Sequence, residues 1–274
     1  MPAIALTDHG SMYGIVEFYK KCTEAGIKPI LGVEAYMASR TRFDKEPRVD
    51  AKRYHLTLLA KNNAGYKNLL KMVTKANLEG YYYKPRMDWD LLTEHHEGII
   101  CLSGCLGGEL SRLLWAKDYV GAKALAEKYN QLFGAGNYYI EIMHHPKLER
   151  QLEIKAELIK LAHELNIPLV ATYDSHYINK DDNRAHQTLI AIQSQTDVED
   201  AARLANSIDD FSFIGPDEAK EFYQDAPEAI DNTLKIAELC NVELELGKWN
   251  FPNFPHDGDR SYEQTLRERA ETGL

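Results

Sequence analysis

Short apolar runs alternate with amphipathic stretches over residues 1–178 of the chain. In the amphipathic stretches the apolar positions follow spacings of three and four, which predicts helices; one such stripe consists of Leu152, Leu158, Leu161 and Leu165. The apolar runs are short enough to predict strands. Six strands are predicted in this way, over "AIALTD", "KPILGVEAYM", "YHLTLLA", "GIICLSG", "YYIEIM" and "PLVATYD".

This alternation of strands and helices predicts an α/β protein built from βαβ units. We expect parallel strands that are buried on both faces, because such strands have continuous apolar runs. Right-handed crossovers then favour an open doubly wound sheet or a closed barrel. The first strand is not followed by Gly-x-Gly-x-x-Gly, so the sequence does not support a dinucleotide-binding site.

The pattern changes after residue 178, where helices replace the alternation. The stretches "DDNRAHQTLIAIQSQ" and "PEAIDNTLKIAELCN" predict helices, and proline with acidic residues marks a helix start in "PDEA" and "DAPEA". Residues 247–264 are rich in Pro, Gly and aromatic residues, which is typical of a linker into a further domain.

Composition is typical of a globular, cytoplasmic protein. No apolar run approaches the roughly 20 residues that cross a bilayer, and the N-terminus lacks the basic region of a secretion signal. Four scattered cysteines predict neither a disulfide framework nor a zinc ribbon. The net charge of −10 argues against a dedicated nucleic-acid binder, and we interpret the basic-leaning stretch at residues 40–53 as a solvated loop.

Side chains that can bind metals follow most of the predicted strands. In parallel α/β folds the reactive groups gather at the carboxyl ends of the strands. His55 is an exception, since it begins its predicted strand. The residues at strand ends are Asp8, His9, Glu34, Cys105, His144, His145, Asp174 and His176. Independent accidents would rarely produce such an alignment, so we predict a metal site.

Asp174 and His176 lie two residues apart, so in an extended chain their side chains share a face and can bind one ion. Imidazole, carboxylate and thiolate ligands suit zinc, manganese or iron. Two such ions about 3.5–4 Å apart form the usual clamp for phosphoester hydrolysis. The spacing therefore predicts metal-dependent phosphoester chemistry.

Each residue also has a structural interpretation. An Asp-x-His pair at a strand end can be a hydrogen-bonded turn, Asp8 can cap the following helix, and Cys105 can be a buried apolar residue. Glu34 can pair with a cation, and the pair at 144–145 can lie in a solvated loop. The remaining histidines are predicted to be structural, namely His95, His96, His163, His186 and His256.

Several longer strings closely resemble the N-terminal PHP (polymerase and histidinol phosphatase) domain of bacterial DNA polymerase III alpha subunits. They are "ALTDHGSMYGIVEFYKKCTEAGIKPILGVEAYM", "RYHLTLLAKNNAGYKNLLKMVT", "YYYKPRMDWDLL", "GIICLSGCLGGEL" and "PLVATYDSHYI". The resemblance implies a distorted (β/α)7 TIM-like barrel followed by C-terminal helices. We therefore expect a metal-binding barrel over residues 1–200, a helical extension over 201–246, and a linker with the start of the polymerase core over 247–274.

The resemblance also implies a ligand set. Six residues match family metal ligands, namely His9, Glu34, His55, Cys105, Asp174 and His176. Asp8 and His144 do not match and are candidates for residues that orient the ligands. The family begins with a strand carrying His-x-His, so the strand ending at Asp8 would be its second. We expect a fragment that lacks the first strand with its His-x-His motif, and that therefore binds metal weakly and has little activity.

For the full-length protein the resemblance implies a DNA-directed DNA polymerase, a nucleotidyltransferase that uses Mg²⁺ and has its palm beyond residue 274. Expected partners are primer-template DNA, a proofreading exonuclease subunit and other replicase subunits, with no membrane. The PHP domain itself is expected to be a metal-dependent phosphoesterase with 3′–5′ exonuclease chemistry. The alternatives are a structural module that docks the proofreading subunit, with metals for stability, and a stand-alone phosphatase.

Overall fold

The six apolar runs all form strands, and the structure, a computed structural model, adds a short hairpin to them. It describes residues 1–197, 209–249, 251–252, 254–255 and 260–274. The strands are β1 (Ala3–Leu6), β2 (Lys28–Ala38), β3 (Arg53–Ala60), β4 (Tyr81–Tyr82), β5 (Lys84–Met87), β6 (Ile99–Leu102), β7 (Tyr138–Ile142) and β8 (Leu169–Ala171). The hairpin β4–β5 has too few residues for a periodic signal and contains Pro85, so the pattern did not predict it.

The strands form one curled sheet in the order β4-β5-β2-β3-β6-β7-β8, with β1 also paired to β2. The pairs β1–β2, β2–β5, β6–β7 and β7–β8 are parallel, as expected. The expectation of parallel strands is wrong for β3, which runs antiparallel to both β2 and β6. The loop from residue 39 to residue 52 contains no helix, so the chain returns beside β2 in the opposite direction. The architecture agrees with the predicted distorted TIM-like barrel.

Helices cover the outer face of this sheet and follow its last strand. Several begin at side-chain caps, as where Asn62, Asp88 and Asp118 accept hydrogen bonds from backbone N–H groups of the first turn. The helices are α1 (Ile15–Glu24), α2 (Asn63–Leu78), α3 (Trp89–His95), α4 (Glu109–Trp115), α5 (Tyr119–Phe133), α6 (Gln151–Leu165), α7 (Asn183–Ser194), α8 (Pro216–Phe222), α9 (Pro227–Leu239) and α10 (Tyr262–Thr272).

Alternation along the strands divides the apolar core into two clusters. On β2, Val33, Ala35 and Met37 belong to the larger cluster, which lies between the sheet and the outer helices. Ile30 belongs to the smaller cluster on the inner face, which also contains Leu59. The other inner-face members are Ile100, Leu102, Tyr139 and Val170 from the sheet and Ile236, Ala237 and Cys240 from α9 and its end. The inner face is therefore apolar at the end of the sheet where α9 packs.

The described chain divides into two compact units, Met1–Glu243 and Leu244–Leu274. The first contains the sheet and helices α1–α9, and the second contains α10, which begins at a Ser261–Gln264 capping box. The predicted domain boundary at residues 200–201 and His256 lie outside the described residues. Among the helices that the structure describes, none is both long and apolar enough for a transmembrane span.

Candidate metal centre

The pairing of β2 with β3 places polar side chains together at one end of the inner face. Glu34 on β2 is directly opposite Thr57 on β3, and Tyr36 is opposite His55, so all four side chains lie on one face. His9 follows β1 and forms a parallel bridge with Glu34. Because β3 is antiparallel, its first residues lie beside the C-terminal part of β2. The reversed strand direction therefore explains why His55 begins its strand and still reaches the candidate site.

Glu34 lies between two histidines. His9 Nδ1 is 3.2 Å from Glu34 Oε2, and His55 Nδ1 is 2.7 Å from Glu34 Oε1. One ligand atom from each of the three residues lies within 4.8 Å of the others, a spacing that a single ion can bridge. The Glu34 side chain is 11% exposed and makes no ion pair with Lys or Arg among the described residues. The partners that the structure gives to Glu34 are therefore His9 and His55.

Cys105 brings a sulfur atom to the same place. Its Sγ lies 3.3 Å from His55 Nδ1 and 3.8 Å from Glu34 Oε1, and it accepts a hydrogen bond of 3.3 Å from Gly107 N. Gly104, with a φ of +86°, turns the chain out of β6 where a side chain would collide with the His55 carbonyl. Burial, and then the charge of Glu34, raise the pKa of the Cys105 thiol well above its usual value. A metal ion bound here would displace the thiol proton.

Asp174 and His176 complete the arrangement from the loop after β8. His176 Nε2 lies 3.6 Å from Asp174 Oδ1, and its ring centroid is 6.2 Å from that of His9. Asp174 has a φ of +56°, an uncommon backbone conformation for a residue other than glycine. The contact with Asp174 raises the pKa of His176, although burial opposes this. Burial by itself would raise the pKa of the Asp174 carboxyl group. The interaction with His176 outweighs burial, so the pKa of Asp174 is lowered.

All six predicted ligands thus surround one small volume. They come from β2, from β3 and from the segments after β1, β6 and β8. Their nitrogen, oxygen and sulfur donors suit zinc and other divalent transition metals. Glu34 is buried and Cys105 is half-buried, and the Cys105 Sγ lies 3.8 Å from Glu34 Oε1. The residues present therefore fit a metal site.

Asp8 and His144 take other positions. The Asp8 carbonyl accepts a hydrogen bond of 3.1 Å from Glu34 N, so its backbone helps to align β1 with β2. Helix α1 begins at Gly14 without a side-chain cap, so the alternative of an Asp8 cap is wrong. The His144 ring stacks on Phe222, with centroids 4.4 Å apart. His145 is 2% exposed, so the solvated-loop alternative is wrong for it.

Glu141 on β7 is a polar residue of this region that the sequence patterns did not single out. It is 3% exposed and accepts hydrogen bonds from Thr172 Oγ1 at 2.7 Å, Gly104 N at 3.0 Å and Thr57 Oγ1 at 3.2 Å. Burial is the main cause that raises its pKa to about 7. A carboxylate in the middle of the apolar run "YYIEIM" was the available signal.

His186, which was predicted to be structural, stacks on a candidate ligand. Its ring centroid on α7 lies 5.0 Å from that of His176, with an interplanar angle of 14°. His186 therefore packs against the face of the His176 ring. This contact restricts the orientation of the His176 imidazole relative to Asp174.

The chain is similar to bacterial polymerase subunits over nearly its whole length. The DNA polymerase III subunit alpha of Thermus aquaticus is 41% identical over 281 residues, which cover 100% of this chain and 23% of the relative. The corresponding proteins of Deinococcus radiodurans and Treponema pallidum are 43% and 41% identical, over 99% of this chain. The chain spans 21–23% of the length of these relatives. The family described as PHP domain matches residues 1–145, which is more than half of the chain. The chain therefore belongs to the PHP domain family.

Proposed function

We propose that the chain carries a phosphoesterase centre that depends on divalent metal ions. The observation that carries this proposal is the convergence of donor atoms from five separate segments on one volume. The proposed ligands are His9, Glu34, His55, Cys105, Asp174 and His176. When bound, zinc, manganese or iron ions supply Lewis-acid activation of a water nucleophile and stabilise charge on the leaving oxygen.

The protein's own groups prepare this site. Gly107 N donates to Cys105 Sγ and thereby stabilises sulfur in its anionic form. The contact with Asp174 orients the His176 ring, and stacking on His186 restricts the ring from one face. Tyr36 packs its ring edge against His55 with centroids 5.4 Å apart, so that imidazole is also held in place. The donors are therefore largely pre-positioned for binding an ion.

The proposed substrate is the phosphodiester of a DNA strand end, which makes the reaction a 3′–5′ exonuclease reaction. The similarity to DNA polymerase III alpha subunits over nearly the whole chain supports this choice. By the same similarity we propose that the whole protein is a cytoplasmic DNA polymerase that uses Mg²⁺. Primer-template DNA, a proofreading exonuclease subunit and other replicase subunits would be its partners.

The test measures shortening of a 5′-labelled single-stranded oligonucleotide by the 274-residue chain with Mn²⁺ or Zn²⁺. We expect D174N to lose at least about 100-fold in rate, because each ligand helps to fix the ion. The matched control is D217N, which changes a carboxylate whose side chain is 95% exposed on α8. Unchanged shortening by D174N would contradict the proposal.

A second candidate is a bracing role in which metals stabilise the fold and no substrate is turned over. The observation that favours it is the origin of the six residues in separate segments, because one ion would cross-link them. This module would support the polymerase and dock the proofreading subunit. A D174N chain that melts at lower temperature, beside an unmodified chain that shortens no DNA, would favour this role.

A stand-alone phosphatase remains the third alternative and can be separated by substrate. Hydrolysis of a small phosphomonoester such as p-nitrophenyl phosphate would be compared with shortening of single-stranded DNA. The similarity to polymerase subunits across the C-terminal helices favours DNA. A chain that hydrolyses only the monoester would support the phosphatase.

A further inference from the structure

The basic-leaning stretch at residues 40–53 contains cations with two different environments. Arg40 donates to Asp50 at 2.9 and 2.6 Å, and Arg42 pairs with Glu79 and Asp88 at 2.7 and 3.0 Å. These pairs hold the loop between β2 and β3 in place. Arg53, at the end of the stretch, forms no ion pair among the described residues. Its Nη1 donates to the Ala51 carbonyl at 3.0 Å, and its guanidinium faces an aromatic ring.

That ring belongs to Tyr36. The Arg53 guanidinium carbon lies 5.5 Å from its centroid, and Lys84 Nζ lies 5.9 Å from the same centroid. Within the part of the chain that the structure describes, Lys84 also has no carboxylate partner. Two cations without counter-charges thus converge on one tyrosine, which holds them by cation–π attraction.

The pair of cations borders the metal centre. The Tyr36 ring lies 5.4 Å from the His55 ring and 6.0 Å from the His9 ring, measured between centroids. Gly10, with a φ of +63°, follows His9 and lets Pro85 and Tyr36 pack closely, since a Cβ there would lie 2.9 Å from Pro85 Cγ. The hairpin that carries Lys84 is therefore pressed against the segment that carries His9.

The same hairpin presents an exposed aromatic residue. Tyr83 is 65% exposed and precedes Lys84, and its ring lies 4.6 Å from that of Tyr82 between centroids. Arg86 in turn lies over the Tyr82 ring, 5.3 Å from its centroid. An exposed ring that is supported from beneath can stack on a nucleic-acid base whatever its identity.

We propose that Arg53, Tyr83 and Lys84 form a strand-binding rim that guides a single-stranded nucleic acid into the metal centre. The two cations contact successive phosphates, and Tyr83 stacks on a base. The proposal rests on the proposed function, because it names how that centre takes its substrate. A chain with a net charge of −10 repels polyanions in general, so a local pair of cations that no described carboxylate neutralises is needed beside the centre.

The test measures binding of a fluorescent oligothymidylate by anisotropy. Phosphorothioate linkages make this probe resist hydrolysis, so binding is measured apart from turnover. The 274-residue chain is compared with R53Q/K84Q at 50 to 200 mM salt in Mn²⁺. We expect the variant to bind at least about tenfold more weakly, with a salt slope smaller by about 1.4 because two phosphate contacts are lost.

Two further variants sharpen the comparison. K20Q/K67Q removes the same charge from exposed lysines on α1 and α2 and should bind as the unmodified chain does. Tyr83 has a φ of +61°, which asparagine tolerates, so Y83N removes the ring with little backbone strain. We expect Y83N to bind about fivefold more weakly or worse, with an unchanged salt slope, since stacking releases no counterions.

Equal binding by R53Q/K84Q and K20Q/K67Q would overturn the proposal, as would an unmodified chain that binds no strand. Failure of the proposed function is a separate result. It would appear as an unmodified chain that holds no metal or shortens no DNA, whereas the comparison among variants measures strand binding only.

Discussion

At the scale of single residues, Glu141 links the segments that surround the candidate metal centre. Its carboxyl group accepts hydrogen bonds from Thr57 on β3, Thr172 after β8 and the backbone of Gly104 after β6. Burial removes the carboxyl group from water and is the main cause that raises its pKa to about 7. The group is therefore protonated in the folded protein at pH values where it ionises in the unfolded chain.

The E141Q variant tests this shift in the metal-free chain. Between pH 4.5 and about 7 the folded state holds a proton on Glu141 that the unfolded state has lost, so stability falls as pH rises. Glutamine cannot ionise. The free energy of unfolding of the unmodified chain should therefore fall by about 2–3 kcal/mol relative to E141Q over this range.

Urea unfolding in EDTA at a series of pH values measures this difference. The matched control is E17Q, because Glu17 is exposed in the first turn of α1. If the difference in free energy of unfolding between the unmodified chain and E141Q does not change with pH, Glu141 ionises normally in the folded state.

At the scale of elements, α9 closes the apolar end of the inner face. Asn232 donates to the Leu169 carbonyl of β8 at 2.7 Å, and Lys28 of β2 donates to the Ala237 carbonyl at 2.5 Å. Ile236 packs into the inner cluster and is 4% exposed. The helix therefore contacts strands from two parts of the sheet that do not pair with each other.

Truncation of Ile236 should therefore destabilise the whole first unit. We expect I236A to lower the free energy of unfolding by about 2–4 kcal/mol, from lost apolar burial and the cavity left behind. L234A removes a similar side chain on the same helix that is 52% exposed, and it should cost less than about 1 kcal/mol. Denaturant unfolding measures the loss of stability in each variant. Equal losses in I236A and L234A would mean that α9 does not close a core.

The elements also show where sequence patterns succeed. Each short apolar run predicted a strand correctly, because the length and apolar character of a run can be seen in neighbouring residues alone. The direction of β3 was not predictable in this way, since a strand has the same pattern in either direction. Its pairing with β2 is decided by a loop held through contacts such as Arg42 to Asp88, which are distant in sequence.

At the scale of the whole molecule, the candidate centre joins segments that are far apart along the chain. His9 and His176 are separated by 167 positions, yet their rings stack at 6.2 Å between centroids. An ion shared by such residues binds the folded state only, because the unfolded chain does not bring them together. Metal binding should therefore stabilise the first unit as a whole.

Thermal unfolding with and without EDTA tests this coupling. Metal at about 100 times its dissociation constant should add about 2.7 kcal/mol of stability, which corresponds to a rise of about 5–10 °C in Tm. H55A should lose this rise, whereas H163A, which changes a histidine whose side chain is 62% exposed, should retain it. A rise of equal size in H55A would place the bound metal elsewhere.

The amino-acid sequence by itself determined the strands and most helices of the barrel, together with the residue types that can bind metal. These properties depend on local periodicity and on the chemistry of each side chain. Only the tertiary structure decided that His55 reaches Glu34, that Glu141 lies beneath the centre and that Arg53 lies over the Tyr36 ring. The physical reason is that pairing direction, burial of a lone carboxyl group and choice of ion-pair partner all depend on contacts between distant segments.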